Sequence, residues 1–467
     1  MRTLWLGDYA VSNHSLSLVF GVDQLRFTTS YWYSDVDLLA LQNRVGEPFF
    51  RKLVFHIAAF EANKLGSLAP DAFDLGSFAD LYTAEFDQLW STVFHRVWAQ
   101  WRYENCLPHY SGPRMLVPRT PGHPVGPVSI PVGGEVETLA FCGGGKDSYL
   151  AMRLLEQADI PYASFGYSHS IYGRPETQHR LLDALLDTCR PRERHRQWVF
   201  DDFMDSPVLR LCSEYGIRSL TAAETPSSVF GVLPLALARG YRHLVVAHER
   251  SADHGNLVWS ETGEEINHQW GKSIEAERLL TNYLASELWV DLRYFSLLKP
   301  LYDVGIFCLL GDHADGIPQT HSCNVQKPWC ETCAKCAYIW LNYMAYLPRE
   351  VVEPIFRSNL LDAPQNQIWF RQMLGLEAHS PFECVGQIEE ARLAFELCRR
   401  RGVTGRAMDI FTQHVPSIDL HDAIARWSKV DIGHSTMPMD DASKVAPRLQ
   451  RAELLAHQFS NRFVAPA

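Results

Sequence analysis

The chain has 467 residues, of which 46% are hydrophobic and 21% are charged, and this composition excludes a disordered or collagen-like protein. The 54 Asp and Glu residues outnumber the 43 Lys and Arg residues, and the formal net charge of -11 disfavours generic binding to nucleic acid. Neither a secretory signal nor an apolar run of membrane-spanning length is found. We therefore expect a cytoplasmic protein, free of membranes, whose eleven cysteines are buried thiols or metal ligands.

The first part of the chain carries aromatic side chains at helical spacing, in residues 47–65 and 78–103. This pattern predicts a mainly helical N-terminal domain over residues 1–115, with the aromatic rings in its core. Six prolines and five glycines then fall between Ser111 and Gly134. Because these residues interrupt regular structure, we expect a linker over residues 116–134.

After the linker, short β-branched or aromatic runs alternate with amphipathic helical patterns, which predicts an α/β domain built on a parallel sheet over residues 135–467. Strands are expected at residues 137–142, 162–167, 197–201, 217–222, 244–247 and 294–298. Helices are expected between them, at residues 147–157, 176–188, 207–215, 227–239 and 273–288. A helical C-terminal extension follows, with helices at residues 334–347, 349–360, 385–401 and 447–463. Ligands of such a sheet lie beyond the carboxyl ends of its strands.

The first strand of this domain runs directly into three glycines and a helix start. The residues of the turn are Gly143, Gly144, Gly145, Lys146, Asp147 and Ser148. Consecutive glycines let the backbone approach a polyanion, and the positive end of the helix dipole favours negative charge. The spacing is not that of a Walker A loop, since Asp147 follows the lysine. A tight turn with a helix cap is the alternative interpretation.

Four cysteines, Cys323, Cys330, Cys333 and Cys336, fall within a short segment. Four thiolates at this spacing predict a closed, structural zinc site. Free thiols and an iron–sulfur cluster are the alternatives.

Two polar loops follow the later strands, at residues 248–256 and 264–273, and a third polar segment, residues 379–386, precedes a helix. Solvated loops explain part of this pattern without any function, and a lone cysteine is more often a packing residue. The functional interpretation is a site for an anionic substrate. We predict that Glu249, Arg250, Asn256 and Asn267 bind this substrate. As catalytic candidates we predict His268, Lys272 and Cys384, with Glu383 as a partner, because His titrates near neutrality and a thiol near a helix start can be acidified.

The glycine turn resembles the PP-loop of ATP pyrophosphatases in the adenine nucleotide alpha-hydrolase-like superfamily, although Gly143 stands where that family has a serine. The resemblance implies a parallel-sheet nucleotide-binding domain. It also implies that residues 143–148 hold the phosphates of ATP, that Asp147 helps to place Mg²⁺, and that the protein transfers AMP.

Together, GGGKDS (143–148), HERSADHGN (248–256), EINHQWGKS (265–273), WCETCAKC (329–336) and PFECVG (381–386) resemble the MurL family of epimerases. This resemblance implies ATP- and Mg²⁺-dependent inversion of the terminal L-Glu of UDP-MurNAc-L-Ala-L-Glu, with release of AMP and diphosphate, in peptidoglycan biosynthesis. Adenylation of the carboxylate makes the α-proton more acidic, because the negative charge of the resulting enolate is delocalised onto the carbonyl oxygen.

The four cysteines also resemble the zinc motif of 7-cyano-7-deazaguanine synthases. Such a synthase, or another carboxylate-adenylating ligase, is the alternative function. A tRNA-modifying PP-loop enzyme is a further alternative, but the net charge of -11 argues against it. The last alternative is a zinc-binding module without enzymatic activity.

Overall fold

The computed structural model describes residues 1–118, 125–130, 134–203 and 206–464. The predicted linker over residues 116–134 lies partly outside the described residues, since it includes 119–124 and 131–133. In the described part of the chain, no helix has the length and apolarity needed to cross a membrane.

The centre of the fold is one sheet of ten strands, in the spatial order β12-β9-β6-β7-β8-β3-β2-β1-β4-β5. A separate two-stranded ribbon pairs β10 with β11. The strands are β1 (Thr3–Val11), β2 (Ser15–Val22), β3 (Leu25–Tyr33), β4 (Ala72–Asp74), β5 (Arg114–Met115), β6 (Thr138–Cys142), β7 (Tyr162–His169), β8 (Arg194–Asp201), β9 (His243–Val246), β10 (Leu257–Val258), β11 (Glu265–Ile266) and β12 (Arg293–Ser296).

Strands β12, β9, β6, β7 and β8 are mutually parallel, which confirms the predicted α/β class. Strand β6 is the first of these strands in the chain and lies at their centre. The chain continues from β6 to β7 and β8 on one side, and then to β9 and β12 on the other side. This order makes the gap between β6 and β9 a topological switch point, where ligands of open α/β sheets bind.

The predicted strand at residues 217–222 is wrong, because that segment is a loop. Its backbone amides are bonded to side chains instead of to a neighbouring strand: Arg218 N donates to Asn105 Oδ1 at 2.7 Å, and Thr221 N donates to Ser67 Oγ at 2.9 Å.

The N-terminal region contains strands that the sequence interpretation missed. Strands β1, β2 and β3 form an antiparallel meander, and β3 pairs antiparallel with β8, so that the region extends the central sheet. The expectation of a mainly helical N-terminal segment was therefore incomplete. The aromatic helices are present, but they pack on a sheet that the N-terminal and later parts of the chain build together.

Two hydrophobic cores cover the two faces of the sheet. In β6, Leu139 belongs to one core and Ala140 to the other, and in β9 the same alternation separates Leu244 from Val245. Alternate side chains of a strand point to opposite faces of the sheet. A strand in which polar and apolar residues do not alternate is therefore buried on both faces. The first core includes the N-terminal aromatics, whereas the second includes the C-terminal helices.

Helices surround the sheet, and most predicted ones are confirmed. They are α1 (Leu38–Val45), α2 (Glu47–Ala62), α3 (Ala84–Val97), α4 (Ala99–Glu104), α5 (Lys146–Gln157), α6 (Pro175–Leu186), α7 (Val208–Glu214), α8 (Glu224–Arg239), α9 (Ile274–Glu287), α10 (Asp303–Leu310), α11 (Ala334–Tyr346), α12 (Arg349–Val352), α13 (Gln367–Met373), α14 (Ile388–Arg400), α15 (Arg406–His414), α16 (Leu420–Trp427) and α17 (Met439–Val464). The helix predicted over residues 349–360 is wrong beyond α12, because Pro354 lacks an amide donor.

Candidate active site

The switch point of the sheet is flanked by a glycine turn and a buried carboxylate. Strand β6 ends at Cys142, and the glycine loop, residues 143–145, connects it to α5. On the other side, β9 ends at Val246 and the buried Glu249 follows. The space beside Gly143 is open, since no heavy atom lies within 4 Å of the position of an added Cβ. A polyanion can therefore approach the start of α5.

The segment that leads into the four cysteines packs on the glycine loop. Gly144 has a φ of +86°, and a Cβ there would lie 2.0 Å from His321 Nε2. At Gly145, an added Cβ would lie 2.9 Å from Ser322 Oγ. His321 N also donates to Gly144 O at 2.8 Å. Glycine is needed at position 144 both for its backbone conformation and for this close approach.

Lys146 is buried, and its ammonium donates to Asp303 Oδ1 at 2.7 Å and to Asp147. Burial alone would lower the pKa of Lys146, but Asp147, Asp303 and Glu249 outweigh it and raise the pKa above its ordinary value. The charge of Lys146 is thus already compensated by carboxylates. Ser148 Oγ donates to Gly145 O at 3.0 Å, which closes the turn. The predicted phosphate-binding residues are therefore adjacent, although Lys146 holds carboxylates in this structure.

The four predicted catalytic residues come together in what we call the thiol cluster, His268, Lys272, Glu383 and Cys384. Ligand atoms of His268, Glu383 and Cys384 all lie within 4.8 Å of one another. His268 and Lys272 both interact electrostatically with the Cys384 thiol. The loop between β11 and α9 supplies His268 and Lys272, and the segment before α14, far away in sequence, supplies Glu383 and Cys384.

The imidazole of His268 is held by a residue that sequence reasoning missed. His268 Nδ1 lies 2.6 Å from Gln100 Oε1, and Gln100 Nε2 donates to Glu104 Oε1 at 2.7 Å. Since the Gln100 oxygen accepts, Nδ1 carries the proton, and Nε2 is the nitrogen left to bond with Cys384. The backbone of His268 is fixed as well, because its N–H donates to Asn256 Oδ1 at 2.9 Å.

The charges around Cys384 favour its thiolate. Burial alone would raise the pKa of the thiol, but Lys272 and then His268 outweigh burial, and the pKa is lowered from its ordinary value. In return, burial would lower the pKa of His268, but the neighbouring Cys384 and then Glu383 raise it. Cys384 raises the pKa of Lys272 in the same way. The cluster therefore favours a thiolate flanked by two cations.

Glu383 secures the loop that carries the thiol. Its Oε1 accepts hydrogen bonds from Cys384 N at 2.8 Å and from Asn324 Nδ2 at 2.9 Å. The predicted partner of the thiol thus acts on the backbone of Cys384 and links it to the four-cysteine segment.

The four predicted substrate-binding residues have different surroundings. Glu249 is buried, and although burial opposes ionisation, Lys272, Lys146 and Lys335 lower its pKa to about 2. The guanidinium of Arg250 lies 4.8 Å from the centre of the Tyr302 ring, and 3.6 Å from Asp431.

The amides of Asn256 and Asn267 are used within the loops themselves. Asn256 Nδ2 donates to Ser380 Oγ at 2.9 Å and to Pro381 O at 2.8 Å, whereas Asn267 Nδ2 donates to Ala252 O at 2.9 Å. These bonds position the loops. Contact of the two asparagines with a substrate stays a prediction.

Three lysines supply positive charge to this region. Within the described residues, no carboxylate oxygen lies within 4.0 Å of the ammonium groups of Lys272, Lys327 or Lys335. Lys335 donates to Cys384 O, and Lys327 donates to His321 O at 3.4 Å. The positive potential needed for an anionic ligand is therefore local to the thiol cluster and the glycine loop, despite the net charge of -11.

Two adjoining cavities open beside these groups. One, of about 210 Å³, is lined by Gly143, His321 and Lys327. The other, of about 320 Å³, reaches His268 and is lined on the far side by Lys64 from the N-terminal region. Tyr167, Tyr172 and Glu224 line both cavities. The glycine loop and the thiol cluster thus border one cleft.

The four predicted metal ligands converge as expected of a metal site. Sulfur atoms of Cys323, Cys330, Cys333 and Cys336 all lie within 4.8 Å of one another, with Cys323–Cys333 at 3.9 Å and Cys330–Cys336 at 3.8 Å. A tetrahedron with zinc–sulfur bonds of about 2.3 Å has edges of about 3.8 Å. Backbone amides donate to these sulfurs, for example Gln326 N to Cys323 at 3.3 Å. The donor set fits a zinc ion.

The fold and the site define a doubly wound α/β protein with a glycine-rich strand-to-helix turn beside a thiol–imidazole cluster. Two family models match this chain: the MurL N-terminal domain over residues 227–297, and the MurL C-terminal domain over residues 319–419. The chain belongs to the MurL family.

Curated relatives carry the name UDP-N-acetyl-alpha-D-muramoyl-L-alanyl-L-glutamate epimerase. The chain is 30% identical to the protein of Salinispora tropica over 66% of its length, 32% identical to that of a Micromonospora species over 66%, and 29% identical to that of Xanthomonas oryzae pv. oryzae over 58%. The matched stretch spans 65%, 66% and 58% of these relatives, just under two thirds of the first two. No solved structure matches the chain significantly.

Proposed function

We propose that the protein is an ATP- and Mg²⁺-dependent epimerase. It converts the terminal L-glutamate of UDP-MurNAc-L-Ala-L-Glu to D-glutamate in the cytoplasm and releases AMP and diphosphate, as a step in peptidoglycan precursor synthesis. The name shared by the curated relatives supports the substrate and the stereochemical outcome.

The observation that carries the proposal is the proximity of the thiol cluster to the glycine loop. Lys272, which lowers the pKa of the Cys384 thiol, also interacts electrostatically with Asp147 at the start of α5. A carboxylate activated at the loop therefore lies within reach of groups that can move a proton at the neighbouring α-carbon.

The glycine loop is the proposed PP-loop. In this role the amides of residues 143–148 bind the phosphates of ATP in the cavity of about 210 Å³, and Lys327 adds charge at its wall. Asp147 and Glu249 are the proposed Mg²⁺ ligands. Burial and the nearby Glu249 and Asp303 raise the pKa of Asp147, so a divalent cation there would relieve the repulsion between these carboxylates.

The thiol cluster supplies the acid–base groups of the epimerisation. Activation of the substrate carboxylate as an acyl-adenylate removes the negative charge that opposes loss of the α-proton. His268 and Lys272, both in the loop between β11 and α9, are the groups proposed to exchange protons on the two faces of the α-carbon. Lys335 and Lys272 offset the charge of the developing enolate.

The four-cysteine site is proposed to hold a structural zinc ion. Four sulfur ligands leave no open position for chemistry, so the ion would stabilise the segment between His321 and α11. That segment supports the glycine loop through His321 and the thiol loop through Asn324.

Incubation in D₂O tests the proposed reaction. With UDP-MurNAc-L-Ala-L-Glu, ATP and Mg²⁺, we expect deuterium at the α-carbon of the terminal glutamate, D-glutamate after hydrolysis, and AMP and diphosphate in solution. No label should enter without ATP. An unlabelled α-carbon in the complete mixture would refute the epimerase, and an amide product formed with ammonia would favour a carboxylate-adenylating ligase instead.

A further inference from the structure

We propose that Cys384 is a covalent nucleophile, so that the acyl group passes from AMP to its sulfur and is epimerised as a thioester. The inference rests on the proposed function, because the acyl-adenylate is the acyl donor. It assigns the thiol a role distinct from that of a proton carrier.

The geometry is that of an activated nucleophile. The Cys384 sulfur lies within 4.8 Å of a ring nitrogen of His268, and His268 is in turn oriented by Gln100 through Nδ1, at 2.6 Å. A nucleophile, a base and a third group that orients the base form the arrangement found in enzymes that use a covalent acyl intermediate. Glu383 completes it by holding the backbone amide of Cys384 at 2.8 Å.

Electrostatics favour nucleophilic attack over proton removal by the thiol. Lys272 and His268 lower the pKa of the thiol against the effect of burial, and a thiolate whose thiol has a lower pKa is a weaker base. Its nucleophilicity falls less steeply than its basicity as the thiol becomes more acidic. A thiolate beside an acyl-adenylate therefore attacks the carbonyl more readily than it removes a carbon-bound proton.

The transfer balances without a further reactant. The Cys384 thiolate attacks the acyl carbonyl, the carbon–sulfur bond forms, and the carbon–oxygen bond to AMP breaks with its electron pair leaving on AMP. His268 then releases its proton to solvent. Neutral His268 removes the α-proton, and the Lys272 ammonium protonates the opposite face. Water cleaves the thioester, which returns the thiolate and the D-glutamyl carboxylate. One of the two protons released goes to Lys272 and the other to solvent.

Acylation itself prepares the acid–base groups. In the free protein, Cys384 raises the pKa of both His268 and Lys272 against the effect of burial. A thioester is neutral, so this attraction disappears and burial then favours the uncharged imidazole of His268, whereas Glu249 and Asp147 still raise the pKa of Lys272. The base needed for the α-proton is thus produced only after the substrate is attached.

Rapid acid quench and intact-protein mass spectrometry test the inference. The full-length protein is mixed with ATP, Mg²⁺ and UDP-MurNAc-L-Ala-L-Glu for less than one turnover. We expect an added mass equal to the substrate minus water, located on Cys384 after proteolysis and removed by neutral hydroxylamine. Cys384→Ala should lack the adduct and all α-deuteration, while it still releases diphosphate, which also shows that it is folded.

Cys106→Ala is the matched control, since Cys106 is exposed and lies outside the cleft; it should form the adduct like the unmodified protein. Epimerisation by the unmodified protein without an adduct, or by Cys384→Ala, would overturn the inference while leaving the epimerase intact. Absence of AMP and diphosphate with the unmodified protein would instead refute adenylation, and with it both proposals.

Discussion

His268 Nδ1 donates to Gln100 Oε1 at 2.6 Å, and this bond joins the N-terminal region to the thiol cluster. Gln100 lies on α4, which packs with the aromatic helices, whereas His268 follows the small β11 strand. The N-terminal region is therefore part of the candidate site. Without the bond, the imidazole loses the contact that fixes its protonated nitrogen.

We expect Gln100→Ala to reduce the rate of α-proton exchange by roughly 10- to 100-fold, the range seen when a group that orients a functional imidazole is removed. The reduction should be in kcat, because Gln100 acts through His268. Gln88→Ala, on the exposed face of the neighbouring α3, is the control and should leave the rate unchanged. Equal rates for all three proteins, measured by deuterium incorporation, would show that Gln100 does not position the imidazole.

A part of this site can be predicted from the sequence when its residues lie close together along the chain. Gly143 to Ser148 form one continuous motif, and the short spacing of the four cysteines indicates a shared metal ion. The residues of each group lie together in the structure. His268 and Cys384 were found from residue chemistry near predicted element ends. Gln100 and Asp303 carry no such signal, because only the packing of distant segments places them beside their partners.

The fold shows the same limit. Strands β6 to β9 and β12 contain short β-branched or aromatic runs between helices, so their composition and the turn residues around them predict strands. Strand β3, by contrast, pairs with β8, which lies far from it in sequence. The prediction treated the N-terminal region as helical because its aromatic helices dominate the pattern. Residues 217–222 have strand-like composition, yet side chains of Ser67 and Asn105 satisfy their backbone amides.

The pH dependence of thiol alkylation should reveal the effect of Lys272 on Cys384. Burial raises the thiol pKa and Lys272 lowers it, with a net lowering, so iodoacetamide should modify Cys384 at a pH below that of an ordinary thiol. In Lys272→Met the midpoint of the rate profile should move to higher pH. Site-specific mass spectrometry measures both profiles, and Lys429→Met, remote in sequence on a C-terminal loop, is the control. Coincident profiles for Lys272→Met and the unmodified protein would contradict the assigned cause.

The glycine loop can be tested with two neighbouring substitutions that differ only in available space. Gly144→Ala forces a Cβ to within 2.0 Å of His321 in a left-handed backbone, whereas Gly143→Ala meets no atom within 4 Å. We expect Gly144→Ala to weaken ATP binding by about tenfold or more, corresponding to at least about 1.4 kcal/mol, and Gly143→Ala to weaken it far less. Calorimetric titration with ATP and Mg²⁺ measures both. Similar losses would mean that packing against His321 does not shape the loop.

The four-cysteine site should bind zinc with a defined structural consequence. We expect about one zinc ion per chain by elemental analysis of the purified protein, consistent with four sulfur ligands. Cys330→Ser should lose the metal and lower the thermal midpoint. Cys308→Ser, in α10 and outside the site, should retain the metal. A full zinc content in Cys330→Ser would show that the four sulfurs do not form the site.

Acid should destabilise the fold through His56 in α2. This buried imidazole contacts Lys52 O at 2.7 Å and Tyr283 Oη at 2.7 Å, and burial lowers its pKa from its ordinary value of 6.5 to about 3. Because the unfolded chain binds the proton more readily, the stabilisation is complete above about pH 6.5 and is lost as the pH falls toward 3. Between pH 7 and pH 5 this group should reduce the free energy of unfolding by about 2 kcal/mol.

Urea titrations of the unmodified protein and His56→Gln at both pH values test this. The variant lacks the titrating group and should show a smaller loss of unfolding free energy. An equal loss in the two proteins would mean that other groups carry the acid sensitivity.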